Sequence, residues 1–295
     1  MIRRPSHPEE VFRGKIVWIT GASSGIGRAL ALAFGQAGAR LILSARTRES
    51  LEAVARSSGA PETRILPFDL TRLTELPAVA ASALECFGGV DIMVHNAGVA
   101  VRDRAADISL EVHERVLRTN YLGPVLLTQA LLPSMAARGG GRFVVISSLS
   151  GKYGGPLLAA YSASKHALHG FFDTLRGEER AHGVTITIII PGFIRTEITA
   201  HALTGAGRPF GRVLPLYREA MPPEECARQI LRAVAQGKRE ALVGGLEMGT
   251  VYLQRWFPRL ASRVIWGHPM RLRNRLLGSI PVLGRRYRSP EAPSG

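Results

Sequence analysis

Residues 15–27 read KIVWITGASSGIG, and this stretch decides the fold. Residues 15–20 form a short apolar run without alternation, as expected of a parallel strand buried on both faces. The run ends at a glycine turn, Gly21-Ala22-Ser23-Ser24-Gly25-Ile26-Gly27, and residues 28–37 continue as an alanine- and leucine-rich helix. Strand, glycine turn and helix in that order make an anion site. Glycines let backbone amides approach a phosphate, and the helix N-terminus favours negative charge. Gly21, Ser23, Ser24, Gly25, Ile26 and Gly27 are the candidate residues for holding a dinucleotide pyrophosphate.

Outward from this unit the pattern repeats. Apolar runs at 40–45, 64–68, 91–95, 142–147, 185–190 and 240–243 read as strands. Helical stretches lie between them at 48–58, 72–87, 109–137, 160–182 and 222–236. Strands alternating with helices predict an α/β fold: a Rossmann-like, doubly wound parallel sheet of about seven strands with helices on both faces. No linker rich in Gly, Pro or Ser and no internal repeat divides the chain before residue 245. Residues 1–246 are expected to form one dinucleotide-binding and catalytic domain, and 247–295 a basic, partly amphipathic helical extension.

With 295 residues, 46% of them apolar, the chain can bury a substantial core. Cys86 and Cys226 give no disulfide framework and fall in helical stretches, so both are expected as buried small hydrophobes in a reducing cytoplasm. Residues 1–10 lack a signal-peptide core, and no run of about 18 apolar residues predicts a spanning helix. The net charge of +15 is uneven. Only Lys15, Lys152, Lys165 and Lys238 are lysines; between 253 and 289 the chain carries Arg255, Arg259, Arg263, Arg271, Arg273, Arg275, Arg285, Arg286 and Arg288 and no Asp or Glu. No nucleic-acid-binding motif accompanies this charge, so nucleic acid is not an expected partner. The histidines show no metal-ligand spacing supported by carboxylates or thiols, and no metal is expected.

A second constellation points to chemistry. Tyr161 and Lys165 are four residues apart, which on a helix puts both side chains on one face. An ammonium beside a phenol favours the phenolate. Ser148 precedes Tyr161 by thirteen residues and can hold a substrate oxygen. Asn120 interrupts a helical stretch for which asparagine is a poor former.

Taken in order, Thr20-Gly21-x-x-x-Gly25-Ile26-Gly27, Asp69 with Leu70, Asn96-Ala97-Gly98, Asn120, Ser148, the Tyr161-x-x-x-Lys165 pair and Pro191-Gly192 with Thr196 resemble the short-chain dehydrogenase/reductase family over about residues 14–245. The resemblance implies that Asn120, Ser148, Tyr161 and Lys165 are catalytic. It implies that Asp69 meets the adenine ring, the alternative being a cap before the next helix. It further implies that Lys165 bonds the nicotinamide ribose, that Asn120 holds a water linking Lys165 to solvent, and that Pro191, Gly192 and Thr196 contact the nicotinamide end. One departure is His95, where the family usually has asparagine; it is expected to be structural. His166 and His169 are expected as packing or surface residues.

The end of the second strand, Ser44-Ala45-Arg46-Thr47-Arg48, carries no acid to bind ribose hydroxyls, and Arg46 is placed to pair with a 2′-phosphate. NADP(H) is therefore expected over NAD(H). Phe193, Ile194, Ile198, Leu203, Phe210, Leu214, Leu216 and Tyr217 follow Pro191 and point to an apolar substrate. The leading expectation is an NADP(H)-dependent oxidoreductase interconverting a ketone and a secondary alcohol on a lipophilic small molecule, acting as a homo-oligomer, dimer or tetramer. Two alternatives remain: a 3-oxoacyl carrier-protein reductase, whose acidic partner the arginines would meet, and a non-catalytic NADP-binding regulator. In the extension, between Met248 and Trp266, apolar residues from Val251 to Ile265 alternate with Arg255, Arg259 and Arg263, two of the three tryptophans (Trp256 and Trp266) lie here, and Pro258 disfavours an unbroken helix. This reads either as a helix packing on the protein or as peripheral membrane contact.

Overall fold

The computed structural model describes residues 8–263. The chain opens with α1 (Pro8–Phe12), β1 (Ile16–Thr20), α2 (Gly25–Gln36), β2 (Arg40–Ser44), α3 (Arg48–Ser57) and β3 (Thr63–Ile65). It continues through α4 (Leu76–Phe87), β4 (Ile92–His95), α5 (Leu110–Leu117), α6 (Gly123–Ala137), β5 (Gly141–Ile146), α7 (Ala159–Glu178) and β6 (Val184–Pro191). The short α8 (Pro215–Arg218), α9 (Pro223–Ala235), β7 (Glu240–Val243) and α10 (Gly249–Trp256) complete the named elements.

The strands form one parallel sheet in the order β3-β2-β1-β4-β5-β6-β7. All five residues of β1 are buried, which explains its unbroken apolar reading. Chain order reverses between β1 and β4, and a crevice opens outside the strand ends at such a point. Because every strand runs the same way, the residues just past β1, β4, β5 and β6 gather on one edge. Gly21, Asn96, Ser148 and Gly192 meet there for that reason.

Helices cover both faces. On one, Leu30 and Phe34 of α2 join Cys226, Ile230 and Val234 of α9 in a single core with β1 and β2. On the other, Phe143, Phe172 and His95 pack ring against ring. Cys226 is buried as expected, but Cys86 on α4 is only half-buried.

Three expected elements differ. The third strand is three residues long rather than spanning 64–68, yet the amides of Leu66 and Phe68 still donate to the Leu43 and Ala45 carbonyls of β2. The helix expected from 72 begins with a 3₁₀ turn, Leu73–Glu75. The stretch 109–137 is not one helix: a π turn, Arg118–Leu122, separates α5 from α6. Pro124 has no N–H to give the Asn120 carbonyl four residues back, so the regular ladder fails at that point.

The chain divides into two compact units between Met248 and Gly249. In the second unit, α10 ends at Trp256, Phe257 is not helical, and 258–263 is helical again. Pro258 thus opens a helical segment, where its missing N–H costs nothing. The tail arginines beyond Arg263, with Val264, Ile265 and Trp266, lie outside the described residues. Among the described residues no helix is long and apolar enough to cross a membrane.

Candidate active site

The turns after β1 and β4 are stitched together. The Asn96 side-chain Nδ2 donates to the carbonyls of Thr20 (2.9 Å) and Gly21 (3.1 Å). The Thr20 hydroxyl donates to Val94 O and accepts from the amides of Asn96 and Ala97. Glycine is obligatory here. A Cβ on Gly27 would stand 2.1 Å from the Gly21 oxygen, and Gly21, at φ +64°, would place one 2.8 Å from the Ala97 Cα.

Ser24 caps α2 without a side-chain hydrogen bond, so the first amides of a twelve-residue helix remain available to an anion. A cavity of about 350 Å³ opens beside them, lined by Ser23, Ser24, Gly25, Arg28, Arg195 and Thr196, with Glu197 and Glu224 also on its wall. Free helix amides, hydroxyls and two guanidiniums are a donor set that fits a diphosphate. Thr196, expected at the nicotinamide end, lies against this turn: a Cβ on Gly25 would meet its methyl at 3.1 Å. Ile26 is partly buried against the core.

Asp69 accepts at Oδ1 from the Thr71 amide and hydroxyl, both at 2.8 Å. Burial alone would raise its pKa, but those bonds and the charges of Arg46 and Arg72 outweigh it and hold the carboxyl below its usual range. Exposed Arg46 is thus brought to the Asp69 side of the crevice. Leu70 is 7% exposed, and a Cβ on Gly123 would meet its Cδ2 at 2.7 Å, so it also packs beneath the π turn.

The reactive cluster lies one strand over. Tyr161 and Lys165 share one face of α7 and are both buried. The Ser148 hydroxyl lies on the Tyr161 phenol's side of the site, and its Oγ accepts from Ser150 N at 3.1 Å. Burial pushes the Tyr161 phenol well above its usual range, the Ser148 hydroxyl opposing it, and Tyr217 adding to the rise. The ammonium is expected to depress this phenol, and here the geometry differs. Lys165 Nζ donates to Ile146 O at 2.8 Å and stands 5.8 Å from the Tyr161 ring centroid, because a buried ammonium takes the nearby carbonyl. Burial brings the lysine pKa down to about 8, which leaves it protonated at neutral pH.

Asn120, in the π turn, is locked at both ends of its amide. Oδ1 accepts from Val99 N (2.8 Å), and Nδ2 donates to Val99 O and Ser164 Oγ (both 2.9 Å). Ser164 in turn donates to Tyr161 O at 2.7 Å, tying the Gly98–Val99 segment to α7. Gly98 keeps this junction tight: a Cβ there would lie 3.3 Å from Asn120 Oδ1 and 3.6 Å from Lys165 Nζ.

His95 is buried, with Nε2 2.8 Å from Thr128 Oγ1 and its ring stacked on Phe143. Burial lowers its pKa to about 3, so it stays neutral and joins β4 to α6. His166 is exposed, its Nδ1 2.8 Å from Ser162 O. His169 does more than expected. Its Nε2 lies 2.9 Å from Ser147 Oγ, the residue before Ser148, and the pair fills the space a Gly151 Cβ would need. Burial first, then the charge of Lys152, lowers its pKa to about 4. The missed signal was its position, one helical step of four beyond Lys165 on the same face.

On the substrate side, Tyr161 belongs to an apolar cluster with Val101, Val112 and Leu203, flanked by Ile198 and Phe210. Phe193 and Tyr217 meet edge to face at 5.6 Å. Of the other apolar residues in the loop after Pro191, Ile194 is drawn into the main core, and Leu216 is 56% exposed. The loop carrying them is long enough to send side chains both ways.

A family model described as short chain dehydrogenase matches residues 15–206. A Drosophila melanogaster protein named dehydrogenase/reductase SDR family protein 7-like is 40% identical over 249 residues, 82% of this chain and 76% of that one. A short-chain dehydrogenase/reductase from Burkholderia phymatum, solved in complex with NAD, superposes with a TM-score of 0.75 at 26% identity, covering 84% of this chain and 95% of that one. An alcohol dehydrogenase from Thermococcus sibiricus, complexed with 5-hydroxy-NADP, gives 0.67 at 26% identity, with 79% and 97% covered.

Proposed function

The chain belongs to the short-chain dehydrogenase/reductase family, with the NAD(P)-dependent oxidoreductase chemistry of that family, and from this we propose that it interconverts a ketone and a secondary alcohol on a lipophilic small molecule using NADP(H). The observation that carries the reading is buried Tyr161 with the half-buried Ser148 hydroxyl beside it and buried Lys165 one helical turn on, at the strand edge that also holds the glycine turn.

The bound nicotinamide supplies the hydride, and the protein the rest. In the reductive direction the Tyr161 hydroxyl gives its proton to the carbonyl oxygen while the Ser148 hydroxyl donates a hydrogen bond to it as charge develops. Lys165 stabilises the phenolate left behind. Asn120 holds the Gly98–Val99 strand end against α7 and so fixes the distance between cofactor floor and acid. Gly21, Ser23, Ser24, Gly25, Ile26, Gly27 and Thr196 would hold the diphosphate, Asp69, Leu70, Asn96, Ala97 and Gly98 the nucleoside side, and Pro191 and Gly192 the nicotinamide end. Arg46, exposed at the end of β2, where the sequence carries no acid until Glu49, supports the 2′-phosphate preference. Leu110 and Leu122, large apolar side chains left exposed, support assembly as a homo-oligomer.

A separate observation favours peripheral contact with an anionic lipid surface. In the second unit Tyr252, Trp256, Phe257 and Leu260 are exposed, among Arg255, Arg259 and Arg263 and with no acid from 248 to 263.

The test of the enzymatic reading is oxidation of NADPH by a panel of lipophilic ketones, with Tyr161→Phe beside it. The variant keeps the ring and cofactor affinity, and turnover falls at least about 100-fold, the scale of lost acid–base catalysis. Wild-type turnover in the variant would overturn the mechanism.

A further inference from the structure

Arg102 is a partly buried cation that has no ion pair among the described residues. It lies just past β4, where the chain is clamped between two substrate-side segments. Its amide donates to Leu203 O at 2.8 Å, the Asp103 amide donates to Leu157 O at 3.0 Å, and Val101 bridges Leu203. Leu157 precedes α7 and Tyr161; Leu203 belongs to the loop after β6. Arg102 therefore sits where the three walls around Tyr161 converge.

Among the described residues no carboxylate lies within ion-pair reach of the Arg102 guanidinium. The nearest acids in sequence are committed elsewhere: Asp103 accepts from the amides of Gly205 and Arg104, both at 2.9 Å, and Asp107 pairs with Arg104. Burial lowers the Arg102 pKa, and the group that counters this is the Tyr217 hydroxyl, itself raised by burial. Tyr217 also acts electrostatically on Tyr161, so the Arg102 charge lies on the same side of the molecule as the apolar cluster that holds Tyr161. Arg142 is the useful contrast. It too is buried with a lowered pKa, but its Nη1 donates to Val234 O, a structural partner that Arg102 lacks. Burying an uncompensated charge costs folding free energy. Such a residue in a reactive cleft is accounted for by a charge that arrives with the ligand.

We infer that Arg102 binds an anionic group of the substrate, a carboxylate or a phosphate, carried near the reacting carbonyl, so that the substrate is an amphiphile with an acidic head and an apolar body. A guanidinium suits either anion through paired N–H donors. The inference rests on the oxidoreductase reading and narrows its substrate class.

The experiment compares matched ketones: a medium-chain keto acid against its methyl ester, and a keto phosphate against its free alcohol. The wild-type enzyme should favour the anionic member of at least one pair by about 10- to 100-fold in kcat/KM, the range of a charge-assisted hydrogen bond. The responding pair identifies the anion. In Arg102→Met the anionic-to-neutral ratio should collapse towards one, and Arg102→Lys should recover part of it. The melting temperature of Arg102→Met without ligand should equal or exceed the wild-type value, since an uncompensated cation has been removed. Equal use of both members by wild type would overturn the inference, as would a lower melting temperature with an unchanged ratio, which would make Arg102 structural. Turnover of no ketone with either cofactor would strike the oxidoreductase reading instead. The anion site is then read by thermal shift: octanoate or inorganic phosphate, but not octanol, should raise the wild-type melting temperature and leave Arg102→Met unmoved. Absence of that shift overturns the inference on its own.

Discussion

The two ends of the crevice are built by different means. At the nucleotide end the backbone makes the site. Gly21 and Gly27 have no room for a Cβ, Asn96 bonds two carbonyls of the neighbouring turn, and the bare end of α2 faces the cavity. At the substrate end side chains make it. Arg102, Tyr161 and Tyr217 come from three distant segments, and the loop between β6 and α9 is held by isolated bridges such as Ile194 to Met221 and Leu203 to Pro209. A backbone site tolerates almost no substitution and keeps one ligand; a side-chain site can change ligand by changing a few residues.

The strongest way to break this contrast is at Gly27. Gly27→Ala sets a methyl against the Gly21 carbonyl, and backbone cannot move aside as a flexible side chain can. We expect a loss of about 3 kcal/mol or more, at or beyond the upper end for overpacking, with NADPH binding undetectable by titration. Gly170→Ala on α7 is the control, since its Cβ would meet nothing within 4 Å; it should be neutral or stabilising by about 0.5–1 kcal/mol. Similar behaviour of the two variants would mean that the nucleotide end is not backbone-limited.

Next in size is Arg46, the one side chain at that end expected to discriminate ligands. Arg46→Ala should weaken NADPH by about 1.5–3 kcal/mol and leave NADH nearly unchanged. Equal weakening of both cofactors would remove the 2′-phosphate reading.

This contrast also explains what was legible in the sequence. The fold was readable because buried parallel strands are unbroken apolar runs and because a turn that forbids a Cβ must be written in glycine. Tyr161 and Lys165 were readable because helical spacing is local. The π turn at Arg118–Leu122 was not, since it depends on Pro124 failing to serve Asn120, a broken bond rather than a pattern. Nor was the direction of Lys165, which is decided by the carbonyl of Ile146 on another strand. Arg102 looked like one of many arginines, because its want of a partner is a fact of three dimensions.

Lys165 lies between the two ends, and its burial should appear as a pH effect on stability. Its folded pKa, about 8, is below its ordinary 10.5. Below about pH 8 the lysine is charged in both states and the burial penalty is carried in full. Between 8 and 10.5 the unfolded chain holds the proton that the folded chain has released, so this residue's contribution rises with pH. Lys165→Met should therefore be more stable than wild type at pH 7, by about 2–3 kcal/mol on the linkage scale, and the gap should narrow by pH 9.5. Comparing the two proteins at each pH cancels Cys226, whose raised pKa of about 12 acts in the opposite sense above pH 9. Urea unfolding at both values checks this, and a gap independent of pH would show that the ammonium is not desolvated.

The smallest effect on chemistry is expected in the second unit, which carries none of the matched motifs. The second unit exposes Trp256 at 72% and Phe257 at 64%, and its arginines recur at 255, 259 and 263. It resembles the substrate end in relying on side chains, but these are exposed. If this surface meets anionic lipid, full-length protein should sediment with phosphatidylserine-containing vesicles and not with neutral ones. Raising the salt should release it, because the attraction decays over a Debye length of about 10 Å at 0.1 M. Arg255→Gln and Arg259→Gln should each weaken partitioning about fivefold, the equivalent of about 1 kcal/mol per basic residue near a charged surface. Trp256→Ala should weaken it at any salt concentration, since its contribution is apolar. All three variants should keep NADPH affinity and ketone turnover within twofold of wild type, a margin of about 0.4 kcal/mol. Binding to neutral and anionic vesicles alike would remove the electrostatic half of the reading. A fall in turnover matching the fall in sedimentation would show instead that these residues serve the chemistry, and the separation between a reactive crevice and an exposed surface would be wrong.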